Sequence, residues 1–212
     1  NKKFGTIHND KIIFRHNEKK IILTPEKCIQ IQLDLGSDVV MCLDDCTKPE
    51  DSLEEQRKSV ERTVQWARKC KDEFDKRTKG KNKPLIFGII QGGNDKELRK
   101  YCADELKKIG FDGYAYGGWP IDSEGVLLKD TLEFTCSLMP DDLPKYAMGV
   151  GKPENIVACH KIGYNLFDCV IPTRDARKKR LYVFNPDKDK DYENIYMQDQ
   201  KHSRDENPIS KS

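Results

Sequence analysis

Leu85-Ile86-Phe87-Gly88-Ile89-Ile90-Gln91-Gly92-Gly93 decides the fold. The run from Leu85 to Ile90 holds no polar side chain and stops at an amide and two glycines. A strand with one wet face alternates apolar and polar residues. A near-continuous apolar run belongs to a parallel sheet covered on both sides. The same unit recurs outward in both directions. Upstream, Asp38 to Leu43 reads as a buried strand ending in Asp44-Asp45-Cys46. Downstream, Gly113 to Tyr116 ends in Gly117-Gly118-Trp119-Pro120, Lys145 to Met148 ends in Gly149-Val150-Gly151, and Leu166 to Val170 carries Asp168. Helical patterns fill the intervals. One runs from about 52 to 76 with Val60, Val64, Ala67 and Phe74 on one face. The others cover 96–109 closed by Gly110, roughly 125–137, and 153–162 closed by Gly163.

Strands joined by helical crossovers form parallel sheets, so the class is α/β. Apolar strands with polar or glycine residues at their C-terminal ends fit a (β/α)8 TIM-like barrel whose site gathers at that rim. Five of the eight units are visible, so the barrel reads as partial; a doubly wound open sheet is the alternative. An N-terminal β-meander precedes it. Residues 4–8, 11–15 and 20–23 read as strands, with turns at Asn9-Asp10 and Asn17-Glu18. Thr24 then caps a helix with Pro25 at its first position, and Gly36 closes it. From Asn185 the chain changes character. Pro186-Asp187-Lys188-Asp189-Lys190-Asp191 and the polar run 198–212 offer little to bury, so 185–212 is expected to be a loose polar tail after a barrel domain of 1–184.

Charge narrows the possible partners. The 212 residues carry 38 basic and 36 acidic side chains, a net charge of +2, so no global field draws a polyanion. Any electrostatic footprint must be local. It is found at Arg174, Arg177, Lys178, Lys179 and Arg180, five cations with one acid, Asp175, among them. No apolar run approaches a membrane span, so no membrane partner is expected. The eight cysteines are scattered without a C-x2-C pair, and the four histidines show no ligand spacing. They predict reduced thiols in a cytoplasmic protein and no metal site in this chain.

On a barrel the strand ends converge. That mouth would gather Asp44, Cys46, Gln91, Gly117, Gly118, Met148, Gly149 and Asp168. It offers a carboxylate acceptor, an amide, exposed backbone N–H groups and an apolar platform, the mixture a purine-like ring needs. Glycines let backbone approach such a ring closely. Asp45 reads as a loop carboxylate, and Trp119 as a border of the pocket. Asp168 alone would read as a cap or a loop ion pair; its setting beside the cation cluster suggests chemistry on a nucleic acid.

Five ordered runs carry a resemblance. These are Gly36-Ser37-Asp38-Val39-Val40-Met41 with Asp44-Asp45-Cys46-Thr47, Phe87 to Gly93, Gly110 to Gly118, Met148-Gly149-Val150-Gly151-Lys152-Pro153-Glu154, and Phe167-Asp168-Cys169-Val170-Ile171-Pro172-Thr173-Arg174. Together they resemble the tRNA-guanine transglycosylase family of the bacterial and eukaryotic type, from about residue 4 to residue 183. The resemblance implies an irregular barrel that exchanges guanine at the wobble position of GUN tRNAs for a 7-deazaguanine. It implies Asp168 as nucleophile, Asp44 on the base edge, and Gln91 with the Gly118 N–H on the base carbonyl. Cys46 and Met148 would line the pocket, with Gly117 and Gly149 beside them. Arg174, Arg177 and the following Lys178, Lys179 and Arg180 would contact the anticodon loop. A homodimer or heterodimer is implied as well.

The resemblance also implies parts that this stretch does not hold. One is a second active-site aspartate in an Asp-Ser-Gly-Gly-Phe-Gln segment ahead of residue 1. The other is a structural zinc on C-x-C-x2-C and a later His beyond residue 212. The chain therefore reads as a piece cut at both ends. After Gly118 it has Trp119-Pro120-Ile121-Asp122-Ser123 where many relatives are smaller, and the bulk of Ile121 favours the 7-aminomethyl base over queuine. A non-catalytic tRNA-binding accessory subunit and an inactive fragment are the alternative readings, with an unrelated barrel enzyme acting on a phosphorylated metabolite behind them.

Overall fold

The computed structural model describes residues 5–48, 50–80, 83–202 and 206–208. Phe4 and the last residues of the polar run lie outside them. Three short strands open the chain, β1 (Gly5–Ile7), β2 (Ile12–His16) and β3 (Lys19–Leu23), paired antiparallel in that order. Asn17 and Glu18 turn the second hairpin with positive φ, a conformation suited to a two-residue hairpin loop. Helix α1 (Pro25–Asp34) begins as its sequence dictates: the Thr24 hydroxyl accepts from Lys27 N–H at 3.1 Å, and Pro25 needs no partner for its nitrogen.

The remaining elements form a curled five-stranded parallel sheet in the order β4-β5-β6-β7-β8, half of a barrel. Its strands are β4 (Val39–Met41), β5 (Leu85–Ile90), β6 (Gly113–Tyr116), β7 (Lys145–Ala147) and β8 (Leu166–Phe167). The crossovers are α2 (Leu53–Thr78), α3 (Lys96–Ile109), α4 (Lys129–Ser137) and α5 (Pro153–Ile162). α2 starts with a reciprocal cap. Ser52 Oγ accepts from Glu55 N–H at 3.2 Å, and the Glu55 carboxylate accepts from Ser52 N–H at 3.0 Å. Its predicted face is buried: Val60, Val64, Ala67 and Phe74 pack with Ile86 and Ile90 of β5 and Leu106 of α3 in the main apolar cluster. Strand residues alternate faces. Ile86 and Ile90 therefore meet the helices, while Phe87, Ile89 and Gln91 share the opposite, barrel-interior parity.

Several expectations are corrected. The strands of the first, fourth and fifth units are shorter than read, because the chain leaves the sheet as soon as it reaches the rim loops. The fourth helix starts at Lys129, not near residue 125. Residues 121–127 fold back on themselves instead, through a bridge between Ile121 and Leu127 and a Gly125 turn at φ +85°. A further helix, α6 (Ile171–Arg177), follows Asp168, with Pro172 in its first turn. The expected loose tail is also ordered in its first half. β9 (Arg180–Phe184) and β10 (Tyr192–Tyr196) form an antiparallel hairpin in five-residue register. Tyr182 and Tyr192 pack with ring centroids 5.2 Å apart. Lys190 and the Tyr192 hydroxyl bind the Glu154 carboxylate of α5 at 3.0 and 2.7 Å. These contacts supply burial that the charged composition conceals.

Candidate active site

The C-terminal strand ends carry the site. Gln91 is the first residue past β5 and is fully buried. Its Nε2 donates to Asp44 Oδ2 at 2.6 Å, which joins the ends of β4 and β5 across the rim. Its Oε1 is buried and has no partner among the described residues. An unmet acceptor in so enclosed a place costs free energy unless a bound group satisfies it. Burial pushes the Asp44 carboxyl above the usual carboxylate range; the Gln91 hydrogen bond opposes that shift, and the Asp45 charge adds to it.

Glycine makes room for this pair. A Cβ on Gly117 would stand 2.6 Å from Gln91 Nε2 and 2.7 Å from Ile89 Cγ2, so any larger residue would drive the amide off Asp44. Gly118 has φ +100°, and a Cβ there would stand 3.6 Å from Arg99 Nη2 and 3.7 Å from Gln91 Oε1, so glycine is favoured by its backbone while the residue lines the cleft.

Asp168 directly follows β8. Its Oδ1 accepts the Gly149 N–H at 2.9 Å, and Gly149 takes φ +75° to aim that amide. The Tyr146 phenol lies near the same carboxylate. Burial first, and that carboxylate second, push the Tyr146 phenol up to about 12. The Gly149 amide, just past β7, therefore orients the Asp168 carboxylate. A cleft of about 510 Å³ opens at this rim, lined by Cys46, Gly118, Trp119, Pro120, Ile121, Asp122, Met148 and Gly149. Its low-dielectric wall and the Asp44 charge both raise the Cys46 thiol, so it serves as neutral lining.

Sequence reasoning missed two residues. Tyr146 lies two positions before Met148 on β7, so the two share a face; period 2 was the available signal. Arg99 is 1% exposed on α3 and meets no carboxylate there. It donates to the carbonyls of Gly93 at 2.6 Å, Ile90 at 3.2 Å and Gly117 at 3.1 Å, and lies 4.3 Å from the Tyr116 ring centroid. One cation thus ties the two glycine turns of the rim together. A lone arginine between Leu98 and Cys102 on an apolar helix face was its only trace in the sequence.

The cation cluster divides. Arg174, Arg177, Lys178 and Lys179 are exposed on α6 and the turn after it. Arg180 is different: Nη2 donates to both oxygens of buried Asp175 at 2.7 Å, locking α6 to β9. Asp45 is likewise structural, paired with Arg62 and accepting at its carbonyl from Ser59. Among the described residues no three His, Cys, Asp or Glu side chains gather as metal ligands. No helix among the described residues is long and apolar enough to cross a membrane.

This geometry defines an α/β half-barrel with its site at the C-terminal rim, where a flat polar ring can meet a carboxylate, an amide and backbone N–H groups. The family described as queuine tRNA-ribosyltransferase matches residues 2–212, and the chain belongs to it. A queuine tRNA-ribosyltransferase of Mannheimia succiniciproducens is 47% identical over 167 residues, covering 79% of this chain and 43% of that protein. One from Actinobacillus pleuropneumoniae serotype 3 is 43% identical over 185 residues, covering 86% and 48%. One from Aliivibrio salmonicida is 47% identical over 167 residues, covering 79% and 44%. The chain spans a little under half the length of these curated relatives.

Proposed function

We propose that this chain is the core of a tRNA-guanine transglycosylase, which replaces guanine at the anticodon wobble position of GUN tRNAs with a 7-deazaguanine. The observation that carries the proposal is the Asp168 carboxylate held by the N–H of Gly149, which lines a ring-sized cleft together with Gly118, and the Gln91–Asp44 pair at the neighbouring strand ends.

In this reading the target nucleotide is unstacked from a single-stranded loop, where extrusion is cheap, and its base enters the cleft. Asp44 accepts from the donor edge of the base. The Gly118 N–H donates to its carbonyl, with Gln91 alongside. Met148 provides an apolar face. Asp168 attacks the ribose C1′ as the bond to guanine breaks, and the bonding pair leaves with the base. The ribose is then held as an aspartyl ester. The 7-deazaguanine takes the vacated pocket and attacks C1′, the ester breaks, and the Asp168 carboxylate is restored. Two inversions give net retention. Ile121 and Trp119 narrow the cleft, which favours the compact 7-aminomethyl base over queuine. The exposed cations of α6 hold the loop phosphates and carry no sequence information of their own.

The test uses the complete protein that contains this chain. Asp168→Asn and Asp168→Ala should abolish exchange of labelled guanine, by about three orders of magnitude or more, while tRNA binding persists. The wild type should form a protein–RNA adduct stable to denaturation, and both variants should not. Exchange surviving in Asp168→Ala would remove Asp168 as nucleophile. Binding without any exchange by the wild type would instead support an accessory, non-catalytic subunit.

A further inference from the structure

Trp119 is the largest exposed aromatic at the rim, 55% accessible. Hydrophobic burial does not explain it, yet its loop is stiff. The Tyr116 hydroxyl donates to Trp119 O at 3.3 Å, and Leu128 N–H donates to Pro120 O at 2.9 Å. Asp122 Oδ1 accepts from Glu124 N–H at 3.0 Å and Val126 N–H at 2.8 Å, and the Ile121–Leu127 bridge closes the fold-back. The indole is therefore presented to solvent by a braced loop. It also stands between two hollows. On one side is the cleft beside Asp168; on the other is a separate hollow of about 210 Å³ lined by Lys48, Glu50, Trp119, Ile121, Asp122 and Ser123. Trp119, Ile121 and Asp122 line both.

We infer that the outer hollow receives one of the two nucleotides flanking the exchanged one, its base stacked on Trp119. The inference deepens the proposed action on RNA and rests on it. An extruded base leaves its neighbours unstacked, and an exposed indole one residue beyond Gly118 is a ready substitute for the lost stacking partner. The mixed rim suits a nucleotide. Lys48 is placed for the phosphate, and the carboxylates of Glu50 and Asp122 suit the N–H donors of a base edge. The shared wall of Trp119, Ile121 and Asp122 sets the two hollows side by side, as adjacent nucleotides of one strand require. Trp119 is then a specificity residue for RNA over free base.

A cycle between Trp119 and the flanking base tests this. The complete protein, as wild type, W119A and W119F, is titrated with an anticodon hairpin and with hairpins made abasic on the 5′ or the 3′ side of the target. W119A should raise Kd for the intact hairpin about tenfold, the weight of one stacked base, and W119F by less. Removing the stacked base should weaken the wild type by a similar factor and W119A scarcely at all. Wild-type exchange with losses that simply multiply, or no loss in W119A, would overturn the stacking and leave the proposed function standing. A wild type that neither binds nor modifies the hairpin would overturn both.

Discussion

In the proposed function Asp44 trades stability for recognition. To accept from a base edge it must be ionised, yet burial and the neighbouring Asp45 charge raise its pKa above the ordinary 3.8. The folded chain therefore holds the Asp44 proton more tightly than the unfolded chain. Stability falls as pH rises from 3.8 through the folded value. Asp44→Asn keeps an oxygen for Gln91 Nε2 and removes the buried charge. It should raise Tm at pH 7 by roughly 2–4 °C, with the gain shrinking as pH is lowered toward 4, while the base-binding KM rises. Thermal melts from pH 4 to 8 check it; a gain that grows in acid would reverse the assignment. The sequence placed Asp44, Gln91, Gly118 and Asp168 at the mouth because each lies at or just past the C-terminal end of a strand. It was silent on Tyr146 and Arg99, since a side chain reaching the rim from within a strand, or from a crossover helix, leaves no mark at a strand end.

Among the elements, α3 joins the core to the site. Leu98, Cys102, Ala103 and Leu106 bury its apolar face, and Arg99 projects from the same face into the rim turns. Arg99→Met keeps most of the apolar stem and leaves the Ile90, Gly93 and Gly117 carbonyls short of a donor. Unsatisfied buried acceptors cost about 1–3 kcal/mol each; water reaching the half-exposed Gly93 turn offsets part of this, so a net loss of about 3 kcal/mol is expected in urea unfolding. A change below about 1 kcal/mol would show that the rim turns hold without it. The elements legible in sequence were those with punctuation of their own: Thr24-Pro25 opening α1, and Gly110 and Gly163 closing α3 and α5. α6 escaped because Ile171-Pro172-Thr173 reads as a loop until Pro172 is recognised as a first-turn residue. The β9–β10 hairpin escaped because Asp and Lys dominate its turn and mask the aromatic pair on its face.

At the scale of the whole molecule the balance of charge matters more than its total. A net charge of +2 cannot steer an RNA, so in the proposed function binding would rest on the exposed group Arg174, Arg177, Lys178 and Lys179 that follows Asp168 in sequence. Arg180 belongs to the scaffold. Its grip on Asp175 holds that carboxyl below its usual range, and the pair orients α6 against β9. This division gives a measurable signature. Replacing the four exposed cations by Gln or Ser should weaken tRNA binding at low salt and flatten the dependence of log K on log salt by about 0.7 for each phosphate no longer neutralised. Arg180→Gln should act first on the fold, by leaving buried Asp175 unpaired, and should lower protection of 180–196 in hydrogen exchange before it changes the salt slope. If the four substitutions weaken binding while the slope stays fixed, these cations do not act on phosphate. The RNA would then be held chiefly by base recognition in the cleft and by stacking on Trp119.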